Sequence, residues 1–333
     1  SNASRGLGDV YKRQGKNPAE RHIEWVSKLD GMWSFSLWDP KAKELILCRD
    51  PFGIKPLVRT QLSDGTLLFG SEVKTFRGHP DFTAKPDISA LSVRLAYEYP
   101  LDQTTLFQGV TSVGIGTIET WSLAEGKATL TGVAKYWKPR LIPSENWSPS
   151  TNASQLLNSL RDSIQDRLMA DVPVGIVLSG GLDSSLMAAL AHDTADSAGK
   201  PTPECWTVAD SEENVDLQAS ITVTKNHDLG HHVHIMDENT MWKKLPEFVW
   251  NGEDLDITVM FWQSVFEQMK GNVTVALCGQ GADELHAGYS RYRALTEHSN
   301  VVKSRLSLAG QISISENDRG LGKPWSSDSI MPA

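Results

Sequence analysis

The chain has 333 residues, 40% of them hydrophobic, which is enough to bury two ordinary cores, and it carries a formal net charge of −9. That charge repels DNA and RNA and no basic stripe offsets it, while no apolar run reaches the roughly 18 residues a membrane span requires and no signal-peptide pattern opens the chain. Three widely separated cysteines (Cys48, Cys205 and Cys278) form no CxxC pair, so the expectation is a reduced, cytoplasmic protein whose thiols serve as small buried hydrophobes.

Ser1-Asn2-Ala3 reads as the scar of a removed tag, and Ser4 to Gln14 has no periodicity that continues past Gln14, so residues 1–14 are set aside. Residues 15–140 read as a mostly antiparallel β layer. Met32 to Trp38 alternates over part of its length and stops at Asp39-Pro40; Glu44 to Cys48 comes next and stops at the turn Asp50-Pro51-Phe52-Gly53. Leu57 to Leu62 and Thr66 to Gly70 flank Ser63-Asp64-Gly65, a hairpin signal. A helix is expected over Asp87 to Tyr97, then strands near Ile115 to Ser122 and Ala128 to Val133. Residues 141–153, polar and marked by Pro143 and Pro149, read as a linker.

From residue 154 the pattern changes. Leu156, Leu157, Leu160, Ile164 and Leu168 recur at helical spacing, and Val174 to Leu178 is a short apolar run of the kind buried on both faces of a sheet. A helix at Ser184 to His192, a strand at Cys205 to Val208, helices at Val215 to Asp228, Met241 to Trp250 and Val259 to Met269, and a strand at Val273 to Leu277 continue the alternation. Strands alternating with helices imply a parallel α/β sheet over residues 154–333.

The strongest chemical signal is Ser179-Gly180-Gly181-Leu182-Asp183-Ser184-Ser185, which leaves a buried strand and enters a helix. Parallel sheets bind ligands beyond the carboxyl ends of their strands. Adjacent glycines let the main chain approach a phosphate, the helix start offers unpaired N–H groups, Ser179, Ser184 and Ser185 add hydroxyls, and Asp183 is placed to ligate Mg²⁺. The other reading is a Gly-rich turn that merely caps a helix. No Gly-Lys-Ser/Thr comes after it, so this is not a Walker loop.

SGGLDSS resembles the pyrophosphate loop of the N-type ATP pyrophosphatases, and its surroundings are similar to glutamine-hydrolysing asparagine synthetases. Leu29-Asp30-Gly31-Met32, the run Arg49 to Leu57, Gly70-Ser71-Glu72-Val73-Lys74 and Tyr136-Trp137 resemble that family's glutaminase domain, and Asp171 to Gly175 fits the approach to the loop. The resemblance covers about residues 29–289. It implies a partial glutaminase-like domain of the Ntn type followed by a synthetase domain, with ATP and Mg²⁺ as the bound groups. The backbone from Leu178 to Ser185 is then expected to wrap the diphosphate of ATP, with Val208 at the adenine. A homodimer is left open, and the expected partners are small molecules alone: ATP, an amino-acid carboxylate, and ammonia or glutamine.

Cys278-Gly279-Gln280-Gly281-Ala282-Asp283-Glu284-Leu285 should lie beside the first loop, with Gly279 at the nucleotide and Asp283 sharing Mg²⁺ with Asp183. Alone, it reads more readily as a helix N-terminus capped by its own Asp or Glu, and its coupling to the first loop is what favours the functional reading. Asparagine synthetases often place Glu where Gln280 stands; a carboxylate there could take a proton from the attacking ammonium, which Gln280 cannot. Glu253 to Thr258 resembles the family's acidic segment near the acceptor, but Phe261 stands where aspartate-using members place an arginine. His231-His232-Val233-His234 puts two histidines on one strand face, with no further cluster to complete a metal site.

Glutaminases of this class attack with an N-terminal cysteine. No cysteine precedes Cys48, and neither Lys303 nor Lys323 matches the family's pyrophosphate-steadying lysine, so the chain is expected to be cut at both ends and to lack glutaminase activity. The leading expectation, implied by the resemblance, is carboxylate adenylation followed by amidation with glutamine-derived ammonia, with aspartate as the default acceptor. A different acceptor, as in lactam-forming or other amidating relatives, and an inactive ATP-binding fragment remain the alternatives.

Overall fold

A computed structural model describes residues 17–97, 103–138, 148–254, 260–286 and 288–289. Residues 1–14, most of the expected linker, residues 255–258 of the acidic segment, Lys303 and Lys323 lie outside the described residues, and Phe261 is described by its place in a helix alone. Two compact units hold the described residues: 17–138 in the first and 148–289 in the second.

The first unit is antiparallel. Strands β1 (Ser34–Asp39), β2 (Glu44–Arg49), β3 (Val58–Gln61), β4 (Leu67–Gly70), β5 (Thr111–Ser112), β6 (Thr117–Ala124) and β7 (Lys127–Lys135) form one sheet of order β1-β2-β6-β7 and a second of order β4-β3-β5. Strand β2 is buried on both faces. Ile46 and Cys48 face Ala19 and Val26, the latter on the short helix α1 (Ile23–Val26), whereas Leu45 and Leu47 face Leu57, Val113 and Trp121. Each such aliphatic side chain, fully buried, contributes about 1.5–3 kcal/mol. The buried carboxylate of Asp50 accepts the N–H groups of Phe52, Ile54 and Lys55 at 2.9–3.1 Å, which fixes the turn after β2. Helix α2 (Ile88–Tyr97) falls where the sequence pattern puts it.

The second unit opens with helix α3 (Pro149–Leu168), which starts before Ser154, inside the segment that reads as linker. Pro149 stands in the first turn, where its missing N–H costs nothing and its fixed φ favours the helix, so a proline that suggests a break is here a start signal. Strands β8 (Val174–Val177), β9 (Cys205–Ala209), β10 (His231–Ile235) and β11 (Val275–Leu277) form a parallel sheet of order β10-β9-β8-β11. Helices α4 (Leu182–Ser197) and α5 (Val215–Asn226) connect β8 to β9 and β9 to β10, and α6 (Glu238–Gly252) and α7 (Met260–Met269) lead back to β11; a single short turn, α8 (Ala282–His286), comes after it.

Alternation sorts the two faces. Ile176, Leu178, Cys205 and Leu277 pack with Ala188, Leu190 and Ala191 of α4 and Ile164 of α3, while Val177 and Trp206 pack with Val265 and Met269 of α7. The direction of winding reverses between β8 and β11, and open sheets of this kind place ligands at that reversal. Among the described residues no helix is long and apolar enough to cross a membrane.

Two thiols are buried, as expected: Cys48 in β2 and Cys205 in β9, and burial pushes each up to about 12. Cys278 is exposed, which corrects the expectation for it. The residue lies one step past β11, where the chain leaves the sheet, so it is part of a loop and not of the core.

Candidate functional site

The loops after β8 and β11 meet. The two strands pair in parallel, Val275 against Val174 and Leu277 against Ile176, so their carboxyl ends lie side by side. A cleft of about 480 Å³ opens there, within the range of small-molecule sites. Its wall includes Leu178, Ser179, Gly181, Asp183 and Ser184 from the first loop, Gly279, Gln280, Gly281, Asp283 and Glu284 from the second, and Val208 from the end of β9. Most of the residues singled out in the sequence thus line one cleft. Gly180 and Ser185 do not line it; the Ser185 hydroxyl is buried and has no hydrogen-bond partner among the described residues.

The first loop is tied to itself. Helix α4 begins at Leu182, earlier than Ser184, with Gly181 as its N-cap. Ser184 Oγ donates to the Gly181 carbonyl (3.2 Å) and accepts the Ser179 N–H (3.3 Å), and the Ser179 hydroxyl lies 3.0 Å away and accepts the Gly181 N–H (3.3 Å). These hydroxyls hold the loop's shape, and both residues line the cleft. No side chain caps α4, and the N–H groups of Leu182, Asp183 and Ser184 have no partner among the described residues, which leaves a positive helix end facing the cleft.

The adjacent glycines do different work. Gly180 has φ +83°, and a Cβ there would fall 2.4 Å from the Asp216 carbonyl oxygen and 2.7 Å from the Ser220 nitrogen, so its missing side chain makes room for α5 and not for a ligand. Gly181 has an ordinary φ of −66°, and a Cβ there would meet only Ser179 Oγ at 3.4 Å. Gly279 rests on the first turn of α4; a Cβ would come within 3.0 Å of the Ser184 nitrogen and fill the space before it.

The cleft is acidic. Asp183, Asp210, Asp216, Asp283 and Glu284 line it, and among the described lining residues there is no lysine or arginine. An unaccompanied polyphosphate would be repelled, whereas a hard cation brought in with phosphate ligands suits a carboxylate-lined wall. Among the described residues no group of three or more His, Cys, Asp or Glu side chains is gathered into a ready metal cage.

Asp210, Asn214, Asp216 and Trp262 also belong to the wall, and the sequence motifs do not single them out. Asn214 carries a readable signal, since it is the N-cap of α5, its Oδ1 accepting the Leu217 N–H at 3.1 Å. Trp262 carries none. Of the three histidines, His232 stacks on Trp206 (4.6 Å between centroids) and pairs with Glu204 at 2.8 Å, while His231 turns to the other face of the sheet.

The family model described as asparagine synthase matches residues 155–328, more than half of the chain, and that described as a glutamine amidotransferase domain matches residues 17–137. Asparagine synthetase [glutamine-hydrolyzing] 1 of Bacillus subtilis is 30% identical over 81% of this chain and 41% of its own length. Asparagine synthetase [glutamine-hydrolyzing] 3 of the same organism is 27% identical over 86% of this chain and 48% of its own. Amidase chyE of Penicillium rubens is 29% identical over 86% and 43%. The chain thus spans less than half the length of these curated relatives. Among solved structures, an NH3-dependent NAD synthetase from Campylobacter jejuni is 16% identical over 41% of this chain and 60% of that one, with a TM-score of 0.31, too low to carry any argument.

Proposed function

Because the chain belongs to the asparagine synthase family, we propose that its second unit binds ATP with Mg²⁺, couples AMP to a carboxylate with release of pyrophosphate, and lets ammonia displace AMP to give an amide. The observation that carries this reading is the meeting of the two loops at the β8–β11 reversal, with Asp183 and Asp283 on the wall of one cleft. A carboxylate is a poor electrophile, and adenylation gives it a good leaving group.

In this reading the free N–H groups at the start of α4 hold the diphosphate oxygens. Ser179 and Ser184 keep the loop in shape, Gly181 and Gly279 leave the space clear, and Val208 lies against the base. Asp183 and Asp283 hold Mg²⁺, which when bound offsets the charge of the phosphates. Gln280 offers an amide and not a carboxylate, so it can orient the ammonium but not deprotonate it. Burial keeps Cys48 a thiol, which unsuits it to act as a glutaminase nucleophile, so ammonia is supplied directly in the test below.

Aspartate is the default acceptor by family. The acidic cleft favours an acceptor without a second carboxylate, and the likeness to a protein named an amidase is in keeping with an acceptor other than aspartate. Release of pyrophosphate and AMP, dependent on ammonia and screened across carboxylates, tests the reading. One acceptor should support turnover, glutamine should not replace ammonia, and Asp183→Asn should lower the rate about a hundredfold or more. Cleavage of ATP to ADP and phosphate would contradict it.

A further inference from the structure

The last rung between β8 and β9 is made by a side chain. The Leu178 N–H donates to the Trp206 carbonyl (2.9 Å), but the Leu178 carbonyl, at the root of the phosphate loop, accepts from Thr207 Oγ1 (2.7 Å). Thr207 is buried, with 3% of its surface exposed. Its hydroxyl proton is committed to Leu178, so its oxygen is left to accept, and His231 Nε2 lies 2.8 Å away on the neighbouring strand. That contact selects the Nε2–H form of His231, whose Nδ1 lies 3.2 Å from Thr224 Oγ1, a hydroxyl that itself donates to the Ser220 and Ile221 carbonyls at 3.1 Å. Burial holds His231 below the usual histidine range, in keeping with a neutral ring.

We propose that Thr207 and His231 are positioning residues: the chain His231 Nε2–H to Thr207 Oγ1 to the Leu178 carbonyl fixes where the loop leaves the sheet, and so where the N–H groups of α4 meet a diphosphate. Neither residue lies on the loop; Thr207 also belongs to the cleft wall, but its hydroxyl is bonded to the Leu178 carbonyl. The role in binding rests on the cleft being the ATP site; the role in holding the loop does not. A buried carbonyl stripped of its donor costs enough to let the loop shift, and the partners come from three separate elements, β8, β9 and β10.

The test compares Thr207→Val, Thr207→Ser, His231→Leu and His231→Gln in the full chain, with two readouts. Without ligand, amide hydrogen exchange at residues 179–181 should quicken in Thr207→Val and His231→Leu, return toward wild type in Thr207→Ser and His231→Gln, and stay unchanged in β11. By calorimetry, Thr207→Val should weaken Mg–ATP and Mg–pyrophosphate about tenfold and leave adenosine unchanged, with Thr207→Ser within about twofold of wild type. If serine and valine behave alike, or if adenosine binding falls together with ATP, the relay is refuted. Should the wild type bind no Mg–ATP, the reading of the cleft fails, and the exchange difference between valine and serine alone decides the relay.

Discussion

Gly180 and Gly181 show how a single motif can serve two needs. Gly180 combines a left-handed φ with contact against the backbone of α5, whereas Gly181 has ordinary φ and open space before it. Gly180→Ala should therefore destabilise the second unit by about 2–4 kcal/mol, from the backbone conformation and the overlap together. Gly181→Ala should change stability by less than about 0.5 kcal/mol yet weaken Mg–ATP binding. Urea unfolding and calorimetry on both variants check this, and equal loss of stability in the two would contradict the division of roles. Spacing and residue type announced the pair. Their separate reasons were hidden, because Asp216 and Ser220 lie more than thirty positions along the chain and only the fold brings them under Gly180.

At the scale of elements, the first unit is joined across its two sheets by a buried ion pair. Glu119 of β6, 1% exposed, takes Arg59 Nε at 2.5 Å and Nη2 at 2.9 Å from β3 and the Trp121 indole N–H at 3.1 Å, and the guanidinium lies 5.0 Å from the Trp121 ring centre. Arg59→Met should cost about 3–5 kcal/mol by leaving the carboxylate buried and unpaired, while Arg59→Met with Glu119→Leu should recover most of that loss. Urea unfolding of the full chain distinguishes this from an additive double loss. The strands and helices themselves were largely legible, because apolar runs and alternation mark burial locally: β2, β6, β8, β9 and the helix at Ile88–Tyr97 fall close to where the pattern puts them. What escaped was set by partners far along the chain. Strand β5 has two residues and is defined by its pairing with β3, about fifty positions earlier, and Cys278 is exposed because β11 ends just before it. The His231–Thr207–Leu178 contacts join positions whose types, read singly, look like an ordinary strand.

At the scale of the molecule, the order β10-β9-β8-β11 turns two loops almost a hundred residues apart into neighbours, and their shared cleft is acidic in an acidic chain. Both facts bear on one dependence in the proposed function: a polyphosphate should enter with a cation that the carboxylates of Asp183 and Asp283 help to hold. Calorimetric titration of ATP into the full chain, with Mg²⁺ and again with the metal chelated, tests this most directly, using Asp183→Asn as the paired variant. Binding with Mg²⁺ that falls at least about a hundredfold on chelation, and that is weakened in the variant, is the predicted result. Equal affinity with and without the metal, or no effect of the substitution, would contradict it.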